Sequence, residues 1–144
     1  MLKPTSMKIT ISLFVLCCLL TAKEIQAQEI DITGTWTIFE MTWTSGEEVN
    51  KTTEDQLKDQ EMTSDYFFMP DGKLKLITNM TGSERLETAE GTWKLEGDKL
   101  ICSLRVEENP VDIIWDFEFK DDVIHLKRTS PDGSTSVVNS FKRK

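Results

Sequence analysis

Between Val111 and Lys120 the chain sets Ile113, Trp115, Phe117 and Phe119 at every second position, with Ile114, Asp116 and Glu118 between them. A period of two buries one face of a strand, whereas a helix repeats every 3.6 residues. The same alternation runs through Leu100, Cys102, Leu104 and Val106, and Leu74 and Leu76 share one face of an earlier run. Turn chemistry punctuates these runs at Pro70-Asp71-Gly72, Thr81-Gly82-Ser83, Gly97-Asp98, Asp121-Asp122 and Pro131-Asp132-Gly133. Proline presets φ in such turns and glycine accepts positive φ. The pattern predicts eight strands: 35–44, 65–69, 73–80, 85–95, 99–106, 111–120, 123–129 and 136–142. Turns spaced roughly 8–12 residues apart mark an all-β sandwich or barrel. Short connections favour an antiparallel up-and-down barrel, whose closure removes the exposed edges that invite aggregation.

The first strand departs from clean alternation. Trp36 and Ile38 fall on one face, and Phe39, Met41 and Trp43 fall on the other. Two apolar faces fit a strand between a filled interior and a covering element. That element is expected next, where Thr53-Glu54-Asp55-Gln56 offers a helix cap with its capping-box partner. Only Leu57 and Met62 are apolar there, so one short surface helix is expected after the first strand.

The leading residues read as a segment apart. Lys3 and Lys8 precede an apolar run from Ile9 to Leu20, and a polar stretch follows up to Ala27 and Gln28. A basic start, a short apolar centre and a small residue at the exit describe a secretory signal peptide. Residues 1–27 are therefore expected to be the signal and 28–144 the barrel domain. The apolar run is shorter than the roughly 20 residues of a membrane-spanning helix, so no stable membrane span is expected. Acylation of Cys17 or Cys18, giving an outer-membrane lipoprotein, is the lesser alternative, because neither has a small residue just before it.

Cleavage leaves Cys102 alone, which excludes an internal disulfide and makes the domain depend on its hydrophobic core. An exported, disulfide-free domain fits a bacterial periplasm or exterior. The whole chain carries a formal charge of −8, and removing the signal makes the remainder more acidic. Such a surface repels phosphate backbones and anionic headgroups, so nucleic acid is not an expected partner.

Three segments carry a resemblance. They are Gly34-Thr35-Trp36, the run from Phe67 through Pro70-Asp71-Gly72 to Leu74, and Gly91-Thr92-Trp93 with the hairpin to Leu100. Together they resemble the lipocalin-like (calycin-type) domains found as small exported proteins in Bacteroidetes. The resemblance implies a barrel with Gly34 and Trp36 at its closed end. It also implies a basic residue stacked on Trp36, for which Arg128 and Arg143 are the candidates.

No nucleophile elbow, phosphate loop or paired zinc motif is present, and His125 is the only histidine. The chain is expected to be non-enzymatic, with no cofactor and no metal. Adjacent acids at Glu47-Glu48, Glu107-Glu108 and Asp121-Asp122 fall in solvated turns. The positive signal is the supply of aromatic and sulfur side chains, because ligand sites are mostly apolar. A small hydrophobic or amphipathic ligand is the expected partner. Met41, Trp43, Trp115 and Phe117 are the candidate liners, with access opposite Trp36, gated by residues 46–62. The competing reading is a filled barrel serving as a structural or protein-interaction module.

Overall fold

A computed structural model describes residues 29–82 and 86–144, and the compact unit spans Asp31–Lys144. The expected signal peptide, with Cys17 and Cys18, lies outside the described residues. The unit is built from β1 (Gly34–Ser45), β2 (Glu48–Thr52), α1 (Glu54–Asp59), β3 (Thr63–Phe68), β4 (Lys73–Asn79) and β5 (Glu87–Glu96). It continues with β6 (Lys99–Val106), β7 (Asn109–Lys120), β8 (Val123–Thr129) and β9 (Thr135–Arg143). Every neighbouring pair is antiparallel, and β9 returns to β1. The result is a closed eight-stranded antiparallel up-and-down barrel, as expected, made by β1 and β3–β9.

β2 is an addition to this barrel. β1 pairs with β3 only over Gly34–Thr37, and beyond that point the same edge pairs with β2 over Met41–Ser45. The wall therefore divides beside β1, and α1 follows at the division. Its Leu57 is buried in the common core, while Thr53 N–H donates to Gln56 Oε1 at 2.9 Å to close the expected cap. The helix thus follows a short second strand rather than the first. Residues 48–52 carry one apolar side chain, Val49, so hydrophobic alternation gave no sign of that strand.

The two-faced appearance of β1 has a different cause from the one expected. The register against β9 shifts between Ile38 and Glu40, a bulge that places Phe39 opposite no partner. A bulge adds one residue to one strand and so exchanges its faces. Trp36 and Ile38 precede it, Met41 and Trp43 follow it, and all four point inward. Phe39 alone turns out, where the Lys142 ammonium stands 5.7 Å above its ring.

One end of the barrel is filled. Ile32, Trp36, Leu74, Leu100, Cys102, Ile124, Leu126 and Phe141 are all fully buried. Phe119 packs edge-on to Trp36 at 6.1 Å, and Phe141 edge-on to Tyr66 at 5.2 Å. The Trp36 indole N–H donates to Ile32 O at 2.8 Å, pinning the approach to β1. Arg143 is the residue that stacks on Trp36, with its guanidinium 4.5 Å from the ring, and it donates to Thr33 O and Asp31 O. Arg128 lies over Trp115 instead.

Candidate functional site

The opposite end of the barrel carries a cleft. Cross-strand register sets Trp43 of β1 opposite Val137 of β9, and Val137 opposite Arg128 of β8. The Arg128 guanidinium lies 5.5 Å from the centre of the Trp115 ring on β7. These side chains form one belt around the inner wall, with a tryptophan at each end and a cation between them. Beside it lies an open cleft of about 310 Å³, lined also by Thr129, Ser130, Pro131, Thr135 and Ser136. That volume sits at the lower edge of the roughly 300–1,000 Å³ typical of small-molecule sites.

The outer lip of the cleft is held in shape by its own hydrogen bonds. The Asp132 carboxylate accepts from Ser130 Oγ at 2.6 Å, from Ser134 N–H at 3.0 Å and from Ser134 Oγ at 2.7 Å. Ser130 Oγ in turn accepts from Thr135 N–H. The Ser130 hydroxyl, then Ser134, hold the Asp132 carboxyl down at about 2. The lip therefore keeps its charge and its geometry at neutral pH.

Beneath the belt the wall is apolar but not free of polar atoms. Trp115 is 8% exposed, and its buried Nε1–H makes no hydrogen bond of ordinary geometry, the Tyr66 hydroxyl being the polar group near it. Asn139, on the inner face between Met41 and Leu126, carries a buried Oδ1 that is also unpartnered. Tyr66 closes the floor. Burial pushes its phenol well above the ordinary value, and the Trp115 N–H and Arg128 guanidinium oppose that rise. Its hydroxyl thus stays protonated and can donate. The neighbouring Cys102 thiol is pushed up to about 12 by burial, which makes it an inert packing group.

The sequence-derived liners separate on this geometry. Trp43, 40% exposed, and Trp115 border the cleft directly. Met41 lies one inward position below Trp43, and Phe117 is buried one inward position below Trp115. Residues 46–62 contribute nothing to the cleft lining, so the expected gate is not its boundary; the β8–β9 hairpin is. Arg128 and Asn139 were missing from the sequence-derived liners. Both had a readable signal, because Arg128 is in phase with Ile124 and Leu126, and Asn139 with Phe141.

The other candidate chemistry is sparse. His125 faces outward, with Nδ1 2.9 Å from Ser140 Oγ, beside a shallow groove bordered by Asp116, Glu118 and Lys127. Among the described residues no three His, Cys, Asp or Glu side chains are grouped to hold a metal ion. Also among them, no helix is long and apolar enough to cross a membrane.

No protein-family model matches the sequence, and no curated protein does. Among solved structures, an uncharacterized protein from Bacteroides eggerthii is similar over 79% of this chain and 100% of its own, at 14% identity and a TM-score of 0.48. The wild-type fluorescent protein UnaG is similar over 78% of this chain and 97% of its own, at 16% identity and a TM-score of 0.42. Neither likeness bears on what the cleft holds.

Proposed function

We propose that the protein is an exported, non-enzymatic barrel that binds one small apolar or amphipathic molecule at its open end. The observation that carries this reading is the cleft between Trp43 and Trp115, set above a close-packed floor. Trp43 and Trp115 form its walls, Met41 adapts to the shape of the bound molecule, and Phe117 supports the floor. The driving force is removal of apolar surface from water, about 25 cal/mol per Å² before ordering costs are subtracted. A contact of roughly 200 Å² then supplies about 5 kcal/mol, enough for binding in the sub-millimolar range only if the site is preorganised. The hydrogen-bonded lip formed by Ser130, Asp132 and Ser134 supports that condition.

Two tryptophans at the site make the test direct. Titration with a panel of fatty acids, bile acids and porphyrins is expected to change tryptophan emission saturably for at least one compound class. Trp43→Ala is expected to weaken that binding about tenfold while leaving the fold intact by circular dichroism. Silence across the whole panel would leave the filled-barrel interaction module as the better reading. The export component predicts a mature N-terminus at Gln28, which intact-mass measurement on protein from the native host or a secreting host checks.

A further inference from the structure

The belt that borders the cleft is chemically one-sided. Arg128 points inward from β8, against the Trp115 face, and among the described residues no carboxylate forms an ion pair with it. The Trp115 Nε1–H, in a side chain more than nine-tenths buried, lies near the Tyr66 hydroxyl but makes no hydrogen bond of ordinary geometry. Protonated Tyr66 adds a second neutral donor on the same side. A buried donor left unmade costs free energy, so such a group is retained where something accepts from it. On the inner wall Asn139 Oδ1 is also unpartnered; it belongs to an amide whose other end donates, and turning it over would add a further N–H.

Resting on the binding function proposed above, we infer that the bound molecule carries a single carboxylate, received by Arg128 and the Trp115 indole N–H, with its apolar body against Trp43. One guanidinium with neutral donors suits a monoanion with planar oxygens, which a guanidinium can grip with two parallel hydrogen bonds. A dianionic phosphate fits less well, because it would meet one cation inside a chain of net charge −8. The flat face of Trp115 beneath the guanidinium keeps the fork oriented.

Matched pairs that differ only in the head group test this. Decanoate against 1-decanol, and 2-naphthoate against 2-naphthalenemethanol, are titrated into the protein and into Arg128→Gln, read by tryptophan fluorescence and calorimetry. The wild type is expected to prefer each acid over its alcohol by about tenfold or more. Arg128→Gln is expected to remove that preference by weakening the acid, with the alcohol's affinity unchanged. Trp115→Phe should weaken the acid by a smaller factor. If Arg128→Gln does not fold, the salt dependence of the wild-type acid-to-alcohol ratio replaces it, and the ratio should fall as ionic strength rises. Equal affinity for acid and alcohol, or a preference that survives Arg128→Gln, overturns the carboxylate assignment while leaving ligand binding standing. Failure of every compound, and of the wider panel above, overturns the binding function and this inference with it.

Discussion

Gly34 and Gly91 each precede a Thr-Trp pair, yet the backbone asks different things of them. Gly34 has φ of +120°, a conformation closed to side-chain-bearing residues, and it stands beside the Arg143 guanidinium that covers Trp36. Gly91 has ordinary strand dihedrals, but a Cβ there would come within 1.8 Å of Ser103 O on the neighbouring strand. Its tryptophan, Trp93, donates to Met69 O and packs edge-on to Phe68, tying β5 to the β3–β4 turn. Gly91→Ala is therefore expected to destabilise the fold by about 2 kcal/mol or more, because backbone rather than a movable side chain must give way. Urea unfolding measures this as a lower midpoint at unchanged slope. Arg143→Ala should cost about 1–2 kcal/mol and speed amide exchange at Thr33 and its neighbours, since it removes the stack and the donors to Thr33 O and Asp31 O. Sequence identified Trp36 as the closing residue but left Arg128 and Arg143 as equal partners for it. They are 15 positions apart on two strands whose inner faces both carry apolar neighbours. Only the register of β9 against β1, which sets Arg143 opposite Trp36, separates them.

At the level of elements, all eight expected strands exist, and the departures cluster where pairing rather than hydrophobicity decides. β2 has no apolar alternation to read, because both its faces are exposed and it is held by hydrogen bonds to β1. The bulge at Phe39 was invisible for the opposite reason: aromatic residues on both faces are what a face exchange and a covered strand would each produce. β7 begins two residues early, at Asn109, because Glu107 and Glu108 both adopt positive φ, of 48° and 69°. That compresses an expected loop into a two-residue hairpin turn. Asp121 and Asp122 do the same at 52° and 60°. Turns with positive φ at both central residues favour Asn-Gly. Replacing Asp121-Asp122 by Asn-Gly is expected to stabilise the protein by about 0.5–1 kcal/mol, raising the midpoint of thermal unfolding by about 3 °C. The candidate site follows the same division. Alternation placed Trp115 and Phe117 inside, whereas the polar members, Arg128 and Asn139, were hidden by the habit of counting charged and amide residues as outward.

Across the whole molecule, charge sets a stability plateau with two edges. Hydrogen bonds from Lys142 and then Lys58 hold Glu54 at about 2, against an ordinary 4.5, and Asp132 sits at about 2 in its serine cradle. Asp31, through Thr33, and Asp71, through the Lys73 backbone, are lowered as well. The unfolded chain takes up protons on these carboxyls first, so their contribution is complete above about pH 5 and is lost as pH falls towards 2. Tyr66 and Cys102 act in the other direction, since burial raises both and the unfolded chain releases their protons first. Their contribution is complete below about pH 8 and is lost progressively in more alkaline solution. Thermal melts across pH are expected to be flat between these edges and to fall on both sides. A melting temperature still rising from pH 5 to pH 3 would contradict the acid edge.

β1 begins beside the end of β9, where Trp36 faces Arg143 and Lys144 N–H still reaches Thr35 O. The chain thus enters and leaves the barrel at its sealed pole, away from the cleft between Trp43 and Trp115. A tether, tag or surface linkage joined at Lys144 therefore holds the molecule by its base. Immobilised in that way, every copy presents the Trp43–Trp115 rim to the solution, an orientation that a sensor or pull-down would otherwise have to engineer.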